Sequence, residues 1–574
     1  MSTPSEVAGT SQPEFEVQIE RHVPVPMRDG TILRADVYRP AASGRFPVLV
    51  ERVAYELGAR VGAYGPYYAQ RGFVVVGQNV RGTYASQGEL EPFRDDGSGT
   101  NQDGYDTVEW AAAQAWSNGN VGMLDGSYSG FTQYLVAPTR PPHLRALSPR
   151  EGGGDVYRDW AYRGGANQLY FSRSWALNTC LGWLSHPAVA ARAPGARERL
   201  EQALSGGLDP WLTHLPVNEC PPLDGLALAR WYFDHLTHPE DGPYWQALSA
   251  AGRYAEVDVP MLHVAGWFDV FLGGQLRAFQ GVQTQARSEA ARRAQRLIIG
   301  PWVHGPANTS QSQAGEVDFG PEAVFDLRLQ RLRWYDYWLK RVANGALDGP
   351  PVRAFLMGAN RWLELDSWPP DGVTYRSLFL HSSGGLSFTT PELDESQDSF
   401  TYDPRQPVPS LILYPQLGPK DHRPIEDRVL TYTSEVLEAD LSVAGPVTAI
   451  LHAASSAPDT DWVVRLCDVW PDGRSLSVCD GILRARFRES TTRPTLLTPD
   501  RVYRFEVDLW STAQVFKAGH RLRLHVTSSD FPRYDRNLNT GGAFGTESRS
   551  AVALNTVFHD AVRPSHLLLP ILAH

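Results

Sequence analysis

The stretch Asn120-Val-Gly-Met-Leu-Asp-Gly-Ser-Tyr-Ser-Gly-Phe-Thr-Gln-Tyr134 constrains what this chain can fold into more than any other. It reads as a short apolar strand, a cramped turn and a helix. The turn presents Ser127, with Gly126 before it and Gly130 three residues on. A serine at a strand-to-helix turn is held in a sparsely allowed backbone conformation, and its hydroxyl projects above the sheet. Small neighbours are needed because strand and helix backbones come close there. The helix N-terminus behind the serine offers backbone N–H groups and a partial positive charge, a setting that can hold an oxyanion. The pattern is an imperfect nucleophile elbow, since Asp125 stands two residues before Ser127 and Ser129 two after. Alone, such a pentapeptide is a common loop sequence. Ser129 is the poorer nucleophile, because bulky Phe131 would sit where the elbow needs a small side chain.

A chain of 574 residues exceeds one hydrophobic core, so about two to four domains are expected. Residues Glu14 to Pro40 alternate apolar and polar around an Arg28-Asp29-Gly30 turn, an antiparallel hairpin. Apolar runs then follow at Pro47–Val53, Phe73–Val80, Val121–Leu124, Leu144–Ser148, Met261–Ala265 and Leu297–Ile299. Helical patterns such as Asp106–Gln114 lie between several of them. Strand-helix alternation predicts an α/β sheet covered on both faces, with ligands at the carboxyl ends of its strands, where Ser127 projects. Residues 152–256 interrupt the alternation with helical patterns and Trp160, Trp175, Trp183, Trp211, Trp231 and Trp245, and are expected to form an inserted helical cap. Pro321–Val342 reads as one long amphipathic helix, with Phe325, Leu332, Trp334, Trp338 and Leu339 on its apolar positions. After a linker at Asn344–Pro351, short alternating runs from Val352–Met357 to Arg521–Thr527 predict an all-β sandwich, a jelly roll. The expected division is 1–151 with 257–345 for the α/β domain, 152–256 for the cap and 346–574 for the sandwich.

A serine nucleophile needs a base, and the base needs an orienting acid. In sheets of this kind the chain order is serine, acid, histidine, each just after a strand. Met261–Ala265 runs into Gly266-Trp-Phe-Asp269, and Leu297–Ile299 into Gly300-Pro-Trp-Val-His304. Either residue alone would more often be a turn or a surface group, but three placements agree. Ser127, Asp269 and His304 are the candidate catalytic residues.

These segments, with Val25-Pro-Met-Arg-Asp-Gly30, Arg52-Val-Ala-Tyr55, Gln78-Asn-Val-Arg-Gly82, Met357-Gly-Ala-Asn-Arg-Trp362 and Asp480-Gly-Ile482, resemble the bacterial cocaine esterases and their relatives, the X-prolyl dipeptidyl peptidase family of α/β-hydrolases. The resemblance covers nearly the whole chain. It implies an α/β-hydrolase domain with an inserted helical cap and a C-terminal jelly roll. It implies Ser127 as nucleophile, Asp269 as triad acid and His304 as base. It further implies an oxyanion hole made by the Tyr55 hydroxyl and the Tyr128 backbone N–H. Phe271 matches a position lining the acyl pocket, and cap tryptophans, taken as Trp160 and Trp183, are expected to close it. The family usually carries glycine where Asp125 stands, so this carboxylate either disturbs the elbow or pairs with a cation. Relatives that hydrolyse α-amino-acid esters carry extra carboxylates soon after the triad acid. Here Val270-Phe-Leu-Gly-Gly274 has none.

The expected activity is a serine esterase acting on small esters with an apolar or aromatic acyl part. The alternative is an acylase or X-prolyl dipeptidyl peptidase cleaving amides with the same triad. A rival of another class is a binding protein built on the β-module with an inert hydrolase domain, favoured by Asp125 alone. A net charge of −11 and the absence of Lys/Arg runs argue against a nucleic-acid partner. The start of the sequence has no basic segment followed by an apolar core, and no apolar run spans a membrane, so a cytoplasmic protein is expected. The four cysteines then read as reduced, with Cys467 and Cys479 facing each other across a hairpin at Gly473. No C-x-x-C or His-rich spacing suggests a metal, and no cofactor is expected. A small ester is the expected partner, and a homodimer is allowed.

Overall fold

The computed structural model describes residues 9–97, 99–305, 308–415 and 417–573; the first eight residues, part of the leader reading, lie outside them. The first sheet has ten strands among the described residues. They are β1 (Val17–Pro26), β2 (Ile32–Pro40), β3 (Phe46–Val53), β4 (Val74–Asn79), β5 (Ser117–Gly126), β6 (Leu144–Arg150), β7 (Leu262–Phe268), β8 (Arg296–Val303), β9 (Val352–Leu356) and β10 (Arg361–Leu365). Their spatial order is β1-β2-β4-β3-β5-β6-β7-β8-β9-β10. From β4 through β9 all neighbours are parallel. The β1–β2 hairpin at one edge and the β9–β10 hairpin at the other are antiparallel.

Alternate residues of the central strands enter two separate cores, as the two-residue period of a strand requires. Val48, Val50, Val121 and Met123 face one core together with Val108 of α2 (Asp103–Ala113), Phe131 of α3 (Tyr128–Val136) and Val282 of α5 (Leu272–Gln285). Leu49, Val53 and Leu124 face the other, with Val61 of α1 (Leu57–Gly62) and Leu332, Trp334 and Leu339 of α6 (Leu327–Lys340). Burial on both faces explains why these strands read as continuous apolar runs.

Two expectations change here. The helix predicted over Pro321–Val342 begins only at Leu327, because the Asp326 side chain accepts the Leu329 N–H at 2.9 Å and caps it. Phe325 lies ahead of the helix and packs against Trp302 and Trp362. Residues 352–365, placed with the sandwich by a boundary at 345/346, pair instead with the first sheet, β9 running parallel to β8. Short alternating runs look the same in a sandwich and at a sheet edge.

The cap inserted after β6 holds α4 (Leu169–Trp183) and shorter helices. The C-terminal domain is a β jelly roll with eleven strands among the described residues. Its strands include β11 (Leu441–Ser455), β12 (Asp461–Val469), β13 (Ser475–Arg484), β14 (Tyr503–Phe516), β15 (Arg521–Thr527), β16 (Ala553–Phe558) and β17 (His566–Ile571). The long β11 passes from pairing with β17 at Val443 to pairing with β16 at His452. It thereby joins parts of one continuous sheet that folds around Leu451, Val464, Phe505 and Leu524. The β12–β13 hairpin forms as expected, but a bulge pairs Cys479 with Leu466 rather than with Cys467, and all four cysteines are free thiols. This domain docks on the other two. Asp480 accepts from Arg163 of the cap at 3.0 Å and from Arg533 at 2.6 Å. Trp510 lies against Gly273 of α5, where a Cβ would stand 2.5 Å from the indole nitrogen.

Candidate active site

Ser127 sits between β5 and α3 with φ 62° and ψ −126°, a conformation side-chain-bearing residues rarely adopt. The crowding that favours small neighbours is visible. A Cβ on Gly130 would lie 2.6 Å from the Arg150 carbonyl oxygen, and one on Gly126 2.8 Å from it. His304, just past β8, reaches back with Nε2 3.0 Å from Ser127 Oγ. Its Nδ1 lies 2.6 Å from Asp269 Oδ2, at the end of β7. The other oxygen of Asp269 accepts the Phe271 N–H at 2.6 Å, which fixes the carboxylate plane. The three residues predicted from strand-end placement therefore converge. Burial works against a charged imidazole, but the charges of Asp269 and Glu151 and the Asp269 hydrogen bond outweigh it, and the His304 pKa is raised above the ordinary histidine value.

The Tyr55 hydroxyl accepts from the Trp175 indole N–H at 2.9 Å. Its own hydrogen is thereby free to point away from the indole, and Ser127 is within its reach. Burial raises the Tyr55 pKa, so the group stays a neutral donor. Tyr128 opens α3, and the N–H of a first helical residue has no partner inside its helix. Phe271 is 1 % exposed, stacks on Trp160 at 5.6 Å and meets the His304 ring edge-on at 5.2 Å. Trp160 also packs against Phe131, Phe171 and Trp175. Trp183 lies in the next layer. It contacts Trp175 and donates its indole N–H to the Ala54 carbonyl at 2.7 Å, holding the segment that carries Tyr55. The tryptophan that joins Trp160 beside the site is thus Trp175, about two helical turns before Trp183 in α4. From the C-terminal domain, the Tyr414 ring comes within 5.6 Å of the His304 ring.

Asp125 does not disturb the elbow. It too has a positive φ, 81°. Its carboxylate receives Arg60 at 2.9 Å, Arg150 at 3.3 Å and Arg331 at 3.4 Å. Burial alone would raise its pKa, but the three guanidinium charges hold it well below the carboxylate range. Ser129 is fully buried and donates to Glu51 at 2.8 Å. Glu51 also accepts from Arg60 Nε at 2.5 Å and from the Tyr64 hydroxyl. The rival serine is thus part of the support under the elbow. Sequence reasoning passed over Glu151, which faces His304 Nδ1 at 3.5 Å. Among the described residues, Glu151, Asp269 and His304 are the only trio with metal-ligand chemistry, their ligand atoms within 4.8 Å of one another. The imidazole nitrogen concerned is the one bonded to Asp269.

A parallel sheet covered on both faces, with serine, acid and histidine after its fifth, seventh and eighth strands, defines an α/β-hydrolase, and the relatives make it a serine ester hydrolase. A family model described as X-Pro dipeptidyl-peptidase (S15 family) matches residues 29–306, and one described as the X-Pro dipeptidyl-peptidase C-terminal non-catalytic domain matches residues 344–568. The chain belongs to this family, and it is 35% identical to the cocaine esterase of Rhodococcus sp. (strain MB1 Bresler), over 96% of this chain and 98% of that protein. Two solved structures are similar throughout. One is an aminopeptidase of a marine sediment Thaumarchaeota archaeon, with TM-score 0.82 and 25% identity, covering 100% of this chain and 99% of that one. The other is an α-amino-acid ester hydrolase, with TM-score 0.80 and 25% identity, covering 100% and 98%.

Proposed function

We propose that the chain hydrolyses small carboxylic esters with an apolar or aromatic acyl group, through an acyl-enzyme on Ser127. Ser127 Oγ attacks the ester carbonyl carbon as its proton passes to His304 Nε2. The Tyr55 hydroxyl and the Tyr128 N–H receive the oxyanion. His304 returns the proton to the departing alkoxide, and water then repeats the sequence on the acyl-enzyme. The observation that carries this reading is the unbroken line from Ser127 Oγ through His304 to Asp269, at 3.0 Å and 2.6 Å. The aromatic wall of Phe271, Trp160, Phe171 and Trp175 supports an apolar acyl part. Two acids in this region of the cap are already paired, Asp159 with Arg277 and Asp155 with Arg158, which disfavours a substrate ammonium. Likeness to the aminopeptidase favours amide cleavage as the second reading.

The free cysteines support a cytoplasmic setting, and no helix among the described residues is long and apolar enough to cross a membrane. A fluorophosphonate probe tests the reading: one adduct, on Ser127, is expected, and no adduct would leave an inert hydrolase domain. Turnover of aryl esters exceeding that of matched anilides and X-Pro amides separates esterase from amidase.

A further inference from the structure

Ser127 follows β5 and Asp269 follows β7. The strand between them, β6, ends in a third side chain aimed at the same imidazole. Glu151 is 2 % exposed and has φ 48°, in the left-handed region that a side chain rarely occupies without a reason elsewhere. Its own N–H donates to the Val264 carbonyl of β7 at 3.0 Å, which fixes the turn. Carboxylate oxygen Oε2 accepts the Gly305 N–H at 3.1 Å, lies 3.5 Å from His304 Nδ1 and 4.0 Å from Arg150 Nε. Oxygen Oε1 accepts from the Asn308 amide. Each of these neighbours is a donor, so the surroundings suit a carboxylate that can only accept. Burial raises the Glu151 pKa, and the Arg150 and His304 charges oppose that rise. The charged groups around His304 are Asp269, Glu151 and Arg150, with the Tyr414 ring beside it.

We propose that Glu151 is a second orienting acid of the site, sharing the imidazolium charge with Asp269 and taking over the Nδ1 hydrogen bond when Asp269 is removed. It is a positioning residue, acting through His304, and the proposal rests on the Ser127–His304 reading above. The two acids differ in distance, 2.6 Å against 3.5 Å, so Asp269 holds the proton in the resting enzyme. Closing the longer gap to a hydrogen bond takes a movement of roughly half an ångström to one.

The experiment measures kcat/KM for an aryl ester against pH in the full-length protein, its Ser127→Ala form, Glu151→Gln, Asp269→Ala, and the last two combined. Alanine is chosen at 269 because an asparagine amide would donate toward Nδ1 and lock the wrong tautomer. Glu151→Gln is expected to move the acid limb down by about half a pH unit to one, since one of two negative charges facing the imidazolium is gone. Asp269→Ala is expected to keep activity about tenfold or more above the Ser127→Ala background, and adding Glu151→Gln to bring it down to that background. An unmoved limb overturns the proposal, and so does a double variant as active as Asp269→Ala. The limb position is a ratio within one variant, so it decides even where part of the protein is unfolded. A Ser127→Ala protein that stays active would overturn the catalytic reading itself; an inactive one with an unmoved limb overturns Glu151 alone.

Discussion

The two sides of the turn at Ser127 are built from the same residue types and do opposite things. Above it, Ser127 faces the His304 imidazole, with two carboxylates on the far side of that ring. Below it, Ser129 and Asp125 face Glu51 and the guanidinium groups of Arg60, Arg150 and Arg331. Both sides are buried and both contain an acid at positive φ, Glu151 above and Asp125 below. Below, opposite charges meet at contact distance, and the Asp125 proton is held off far into acid. Above, the His304 imidazole, a group able to give up its proton, stands where a permanent cation stands below. Burial is common to both; the pKa of the facing cation decides which side can move a proton.

The sharpest way to break this contrast is to exchange the serines for alanine one at a time. Ser127→Ala should lower kcat by about 10⁴- to 10⁶-fold with the fold intact. Ser129→Ala should leave kcat within a few-fold and lower stability by about 1–3 kcal/mol, through the hydrogen bond lost by Glu51. Equal losses of activity would show that the lower side takes part in catalysis.

Asp125→Asn attacks the lower side directly. Three guanidinium groups then face a neutral amide, and the loss should be about 3–5 kcal/mol of stability, read by denaturant unfolding. The sign of its pH dependence follows from the depressed pKa. The carboxylate's contribution is full above its unfolded value of about 3.9 and is lost as pH falls through the lower folded value. Wild-type stability should therefore not fall between pH 5 and about 4 on account of this group.

Tyr55→Phe tests the upper side more gently. Loss of one oxyanion donor should lower kcat by about 100- to 1,000-fold, with little change in KM where KM reflects binding. The Trp175 N–H loses its acceptor in the same variant, so the melting temperature should also fall. Wild-type kcat with only that fall would assign Tyr55 to packing.

The smallest effect is in pH. Only neutral His304 can accept the serine proton, so activity is present above its pKa and lost below it. With that pKa raised, the midpoint of the acid limb should lie above ~6.5. A midpoint below that value would mean that burial outweighs Asp269 and Glu151.

The line of Ser127, Asp269 and His304 was legible because each follows an apolar strand, and the strand order brings the ends of β5, β7 and β8 together. Glu151 follows β6 in the same way, yet Ser148-Pro-Arg-Glu151 reads as the start of a loop, and a single acid there carries no periodic signal. Trp175 and Trp183 lie two helical turns apart on one helix face, so spacing could not rank them; the partners of their N–H groups do. Tyr55 came only from family likeness, since a tyrosine after a strand is ordinary core. The partners of Asp125 come from α1, β6 and α6, and no local pattern announces a contact that spans 206 residues, as Arg331 to Asp125 does.

The β9–β10 hairpin also bears on how the chain is made. During synthesis, His304 leaves the ribosome just after β8, a strand that is still the rim of its sheet. The row of unpaired backbone groups along β8 is then a template for another strand, whether from the same chain or a neighbouring nascent one. Residues 352–356 close that rim, and they arrive after the linker. A gene cut at residue 345, where the sequence suggests a domain end, would release a catalytic half with an open seam beside its histidine, and that half is expected to aggregate. A cut after Leu365 would leave the seam closed.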